Sequence, residues 1–270
     1  MEKTVFFETV KNAVANMGDA VIEEMNKANA PYMGLAIRTP GVPSPVVNLD
    51  MLYEMYLDTN SLDRCISKAK EILATKLDTP IDVKDLTNWD KVKGKLYLRL
   101  VRTPGKNVYR EVEDLFLVPY VQITPDDTTT CGVCSALITA WGVNEETVFE
   151  QAKSVQETIR PLKIKELSDM FGIKSPFETL IVSTKNGING ASAIFYEGVF
   201  DDLYDRLGEF YLIPASVHEM LALPKSNAPS IKELVEMVTF INATEVENRD
   251  RLANSIYTYD FENQKLRKVG

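Results

Sequence analysis

The stretch Tyr211 to Pro224, Y-L-I-P-A-S-V-H-E-M-L-A-L-P, holds the one histidine of this 270-residue chain, His218, between Ser216 and Glu219. A hydroxyl, an imidazole and a carboxylate are the parts of a nucleophile, its general base and the acid that orients the base. On a strand, alternate residues share a face. Ser216 and His218 then fall on one side and Glu219 on the other. Glu219 cannot orient that imidazole, so the acid of a hydrolase or transferase comes from a remote segment, with Asp201, Asp202 and Glu245 as choices. No G-x-S-x-G elbow is present to hold a strained nucleophile. The competing account is structural: Ser216 closes a turn, His218 is a hydrogen-bonded strand residue, and Glu219 faces solvent. That account is the favoured one.

Cys131-Gly-Val-Cys134 is the second constellation. A C-x-x-C pair does redox chemistry when a helix N-terminus lowers a thiol pKa. Here the residues that follow, S-A-L-I-T, read as a strand, with the next helix starting near residue 144. A zinc site needs four ligands. Cys65, Cys131, Cys134 and His218 would supply three thiolates and one imidazole, but from three distant segments. The expectation is ordinary packed thiols, with no metal and no cofactor. N-G-I-N-G (186–190) lacks the phosphate-loop pattern and reads as a hairpin turn between two strands. Asp126-Asp127, with Glu113 and Asp114, reads as a solvated acidic loop without calcium spacing. Tyr257 and Tyr259 share a strand face, either as cross-strand packing or as a patch for a partner.

The elements that must position these residues follow from periodicity. Val10, Val14, Met17, Val21 and Met25 recur at helical steps, which predicts a helix from Val5 to about Lys27, with an interruption at Gly18-Asp19. Residues 34–39 and 46–50 flank a Pro/Gly turn and read as a hairpin, with helices after it and Ser61 as a cap. The same unit of two strands and a helix is expected at 116–124 with 134–139 and helix 144–157, capped by Asn144. It is expected again at 179–185 with 191–196 and a helix through Val199 to Leu207. A third copy pairs F-Y-L-I-P with V-H-E-M-L-A-L-P around Ala215-Ser216, then a helix from Ser230 with a capping box to Glu233. A hairpin of 255–261 with K-L-R-K-V closes the chain. Repeated hairpin–helix units predict an α+β fold, mainly antiparallel sheet with helices packed on it. The weak point at P-G-K-N (104–107) gives subdomains 1–105 and 106–270, and 159–177 is the second candidate linker. A short helix is expected in L-K-I-K-E-L-S-D-M-F.

Composition narrows the function. Apolar residues make up 45% of the chain and charged residues 26%, which suits a globular protein with real cores. The formal charge is −9, and the one basic cluster is Lys265, Arg267 and Lys268, so nucleic acid is a disfavoured partner. There is no signal-peptide pattern and no run of about 18 apolar residues, which points away from a membrane. Three cysteines in 270 residues are not a disulfide scaffold, which points to a reducing cytoplasm.

Three pieces together carry a likeness: Y-L-I-P-A-S-V-H-E-M (211–220), I-N-A-T-E-V (241–246) and L-A-N-S-I-Y-T-Y-D (252–260). They resemble a domain-of-unknown-function family of clostridial gut bacteria, whose members carry Y-x-(L/I)-P-S-S-x-H-E, N-A-T-x-V and L-S-x-x-V-Y-x-Y. P-V-V-N-L-D (45–50), A-W-G-V (140–143) and N-G-I-N-G-A-S (186–192) fit as well. Ala215 replaces the usual first Ser, so that position supplies no hydroxyl. The resemblance implies a shared fold and a setting on integrative or conjugative elements, and no reaction. The expected role is that of an accessory protein that binds a protein or a small molecule.

Overall fold

A computed structural model describes residues 1–25, 27–39, 44–75, 83–124, 129–168 and 179–270. The chain forms two compact units, Met1–Thr87 and Asn88–Gly270. The class is α+β: nine helices among the described residues and three mainly antiparallel sheets.

In the first unit, α1 (Lys3–Val14) buries Phe6, Phe7, Val10 and Val14. The helix stops far short of Lys27. Gly18 adopts φ +144, and a Cβ there would meet Ile37 Cγ2 at 2.7 Å. Asp19–Met25 is strand β1 instead, paired with β2 (Tyr32–Arg38), which pairs with β3 (Val46–Asn48). Val21 and Met25 lie four apart, a spacing that puts residues on one face of a helix or of a strand alike. Helices α2 (Leu49–Thr59) and α3 (Leu62–Ala74) cover this sheet. Asn48 caps α2 by accepting from Met51 N–H, and Ser61 caps α3 by accepting from Arg64 N–H. Phe6, Leu35, Leu49, Cys65 and Ala69 are fully enclosed at the centre. The expected turn at 40–45 lies partly outside the described residues. A short helix, α4 (Val83–Leu86), ends the unit.

The second unit begins with α5 (Trp89–Val92). Its four-stranded sheet holds β4 (Leu96–Val101), β5 (Arg110–Val112), β6 (Leu115–Gln122) and β7 (Thr130–Gly132), with β6 paired to all three others. The Pro104–Asn107 turn lies inside this unit, between β4 and β5. Residues 134–139 do not pair with β6 as expected. Cys134 is the extended N-cap of α6 (Ser135–Trp141), which Gly142 ends in a left-handed conformation. Helix α7 (Glu145–Ile159) follows, capped as expected by Asn144, which accepts from Thr147 N–H at 2.8 Å.

The six-stranded sheet has the order β13-β12-β10-β11-β9-β8. Its strands are β8 (Leu162–Glu166), β9 (Leu180–Thr184), β10 (Phe210–Ser216), β11 (Glu219–Pro224), β12 (Tyr257–Asp260) and β13 (Lys265–Lys268). The helix expected in L-K-I-K-E-L-S-D-M-F begins instead as β8. Leu162 and Ile164 alternate with lysines there, a two-residue period. Leu167 and Ser168 after β8 are helical, and residues 169–171 of that stretch lie outside the described residues. The strand expected at 191–196 is a tight 3-10 turn over Ala191–Phe195. Its small residues Ala191, Ser192 and Ala193 are all buried, and Ser192 Oγ donates to Leu98 O at 2.6 Å. Helices α8 (Val199–Leu207) and α9 (Ile231–Thr244) complete the unit. The Ser230–Glu233 capping box is present, and Leu234 and Val238 of α9 pack on Ile213, Leu223 and Ile256.

Candidate functional site

His218 does not sit in a strand. The hairpin of β10 and β11 turns at Val217-His218, two residues later than expected, because the pairing slips between Pro214 and Ser216 and sets Ser216 opposite Glu219. The turn's backbone is fully bonded. Val217 N–H donates to Asp250 O, and Val217 O accepts from Ala191 N–H. His218 N–H donates to Ser216 Oγ at 3.1 Å. His218 O accepts from Gly190 N–H at 3.1 Å and from Ser183 Oγ at 2.7 Å. Gly190 has no room for a side chain: a Cβ would lie 2.4 Å from Ser183 Oγ and 2.8 Å from His218 O. N-G-I-N-G therefore joins a strand to a 3-10 turn and packs on the His218 turn, in place of the expected two-strand hairpin.

The imidazole is hydrogen-bonded at one nitrogen and faces a carboxylate with the other. Asn189 N–H donates to Nδ1 at 3.0 Å, and Nε2 faces Asp250 Oδ1 at 3.6 Å. Asn189 holds φ +49, the left-handed region that asparagine tolerates. Because Nδ1 accepts, the proton of the neutral ring sits on Nε2. The Ser216 hydroxyl is turned to the backbone in a local turn rather than to the ring. The acid beside the ring is Asp250. Asp202 pairs with Arg206 at 3.0 Å, Asp201 lines a cleft with Tyr259, and Glu245 caps α9. Nothing in N-R-D (248–250) marks Asp250 in the sequence.

Among the described residues, no group of three or more His, Cys, Asp or Glu side chains is placed to hold a metal ion. Cys65 is buried in the first unit, its Sγ 3.6 Å from Leu52 O. Burial pushes its thiol up. Cys131 lies in β7, and burial, then the nearby Cys134, pushes its thiol up as well. Both thiols are shifted away from the reactive thiolate.

Asp126-Asp127 lies outside the described residues; Asp114 keeps 35% of its side chain exposed but is tied to three donors. It accepts from Ser255 Oγ at 2.6 Å, from the Tyr257 phenol and from Lys268 Nζ at 2.9 Å. Burial works to raise the Asp114 carboxyl, but these three donors outweigh it and hold it below the usual range. Burial and then the Asp114 bond push the Tyr257 phenol far up. Asn242 Nδ2 donates to Asn254 Oδ1 at 2.7 Å, a clasp between α9 and the segment leading into β12. The N-A-T and L-A-N-S-I-Y pieces are thus joined by these bonds.

Tyr257 and Tyr259 part company. Tyr257 is fully enclosed, whereas the Tyr259 ring stacks on Phe200 at 3.7 Å and meets Phe261 edge-on at 4.8 Å. Tyr259 and Phe261 line two adjoining clefts of about 780 and 510 Å³. The larger also holds Asp201 and Lys265. Tyr204 and Phe261 present 47% and 40% of their surface to solvent. Four aromatic rings at an open surface make a seat for an apolar or aromatic group.

No described helix is long and apolar enough to cross a membrane. The chain belongs to a family of unknown function, DUF5688, which matches residues 3–261. No curated protein and no solved structure matches it.

Proposed function

We propose that this family member works by binding rather than by catalysis. The seat is the aromatic cleft between α8 and the β12–β13 hairpin, and its occupant is a protein segment or a small molecule with an apolar or aromatic group. The observation that carries this is the exposed rings of Tyr204 and Phe261 beside the half-buried stack of Tyr259 on Phe200. Apolar surface of this kind gains free energy when a partner covers it, about 25 cal/mol per Å². An accessory role on an integrative or conjugative element, in the bacterial cytoplasm, is the setting we attach to it. The likeness of the three motif pieces supports that setting.

The hydrolase or transferase reading draws on Asp250 beside His218. A base must accept the nucleophile's proton on a free nitrogen. Here the accepting nitrogen holds Asn189 N–H, and Ser216 Oγ holds His218 N–H. This favours a binding role. The test is affinity capture from the native host, comparing the wild-type chain with Phe261→Ser and Tyr204→Ser, with proteins and metabolites identified by mass spectrometry. The expected result is a partner retained by the wild type and lost from both variants. Equal retention by all three chains removes the cleft from the reading.

A further inference from the structure

The geometry points to an oxyanion site, for a phosphate or a group of its size and charge, on the face of β4 and β6 that carries Arg99. Arg99 is the one charged residue in β4, L-Y-L-R-L-V, and is only partly exposed there. Its Nε donates to Tyr97 Oη at 2.8 Å, and Nη2 donates to the same oxygen and to Thr130 Oγ1 at 2.9 Å. The guanidinium lies 4.0 Å from the Tyr120 ring centre and 5.3 Å from that of Tyr97. Arg160, 2% exposed, places a second guanidinium 4.3 Å from the Tyr97 ring centre.

Among the described residues no carboxylate lies within 4 Å of Arg99, and its polar partners are the hydroxyl oxygens of Tyr97, Thr130 and Tyr120. Elsewhere Arg38, Arg110, Arg206, Arg249 and Arg267 each meet a carboxylate. Arg99 is half-buried, and the ring faces and neutral oxygens around it leave its charge unmatched. The Tyr120 phenol does not supply the missing charge, since burial pushes it up and keeps it a neutral O–H. Beyond Tyr97 and Thr130, the guanidinium approaches the Tyr120 phenol, and this leaves N–H donors to spare at Nη1. The Thr130 hydroxyl, having accepted from Arg99, keeps its own hydrogen to donate. A forked cation with a free edge, flanked by hydroxyls and by a second guanidinium nearby, matches a tetrahedral oxyanion. This site is independent of the aromatic cleft.

The test is titration of the full chain with inorganic phosphate, at fixed ionic strength set with sodium chloride, read by calorimetry and by thermal unfolding. Saturable heat and a saturable rise in Tm are expected for the wild type. Arg99→Gln is expected to raise the Kd for phosphate about tenfold or more, the interaction removed being hydrogen bonds to a charged group. Thr130→Val keeps the guanidinium and is expected to weaken binding severalfold. If Arg99→Gln does not fold, the Arg99 Nε–H resonance of the wild type gives the answer directly, since it must shift with phosphate and not with chloride. A wild type with no saturable response beyond the chloride control overturns the site. So does a folded Arg99→Gln that binds as the wild type does.

Discussion

Two parts of the second unit treat their functional-looking side chains in opposite ways. At the His218 turn, the backbone N–H and C=O of Val217 and His218 are all matched, and both ring nitrogens face a partner. At the aromatic cleft, Tyr204 and Phe261 hold rings at the surface with nothing over their outer faces among the described residues. The first region resembles a rivet, three segments fastened by one turn. The second has contact capacity left over. A residue type suited to chemistry is a poor guide by itself; what matters is whether its bonding capacity is already used.

Four substitutions sharpen or break that contrast. The largest effect is expected from Gly190→Ala. Its new methyl would lie 2.6 Å from Thr184 N and 2.8 Å from His218 O, and backbone atoms cannot step aside cheaply. A loss of about 3 kcal/mol is expected in urea unfolding, with a shifted His218 imidazole resonance. A stable Gly190→Ala would mean that the turn is loose, and the rivet description would fail. Next is Asp114→Asn, which replaces a charged acceptor of three donors and is expected to cost about 2 kcal/mol near neutral pH. The folded carboxyl titrates below its unfolded value, so its stabilisation is complete above the unfolded range, about pH 4, and fades as pH falls through the folded value. The gap between wild type and Asp114→Asn in denaturant midpoints is therefore expected to narrow as the pH falls below about 5. A gap that is constant with pH would assign the effect to shape rather than charge.

Ser230→Ala removes the hydroxyl that accepts Glu233 N–H and is expected to cost about 1 kcal/mol, measured by thermal unfolding. It calibrates what a single local bond is worth in this unit. The smallest stability effect belongs to the cleft. Phe261→Ser is expected to stay within about 0.5 kcal/mol of the wild type while partner capture is lost. A large loss of stability there would mean that the rings belong to the core after all.

Much of the fold was legible. The caps at Ser61, Asn144 and Ser230 are local bonds between a side chain and the backbone three residues on, and local chemistry is written in the sequence. The misreadings came where two structures share one pattern. Val21 and Met25 satisfy a helix and a strand equally, and only Gly18 decides between them. Ala191-Ser192-Ala193 looked like strand because it is apolar, yet its small size is what lets a 3-10 turn pack under His218's neighbours. The candidate sites were less legible, because their partners are remote in sequence. Asp250 reaches His218 from 32 residues away, and Ser255 and Tyr257 reach Asp114 from 141 and 143 away. Arg99 did leave a trace, a single cation inside the apolar run L-Y-L-R-L-V, which a strand assignment for β4 would have exposed.

The basic segment K-L-R-K, which as bare sequence raised the matter of nucleic acid, forms β13, the last strand of the six. A terminal strand offers unpaired peptide groups to any passing copy of itself. Lys265, Arg267 and Lys268 set hydrated, charged side chains along that strand, Arg267 and Lys268 already held by Asp260 and Asp114, and charged side chains of this kind disfavour the docking of a second sheet.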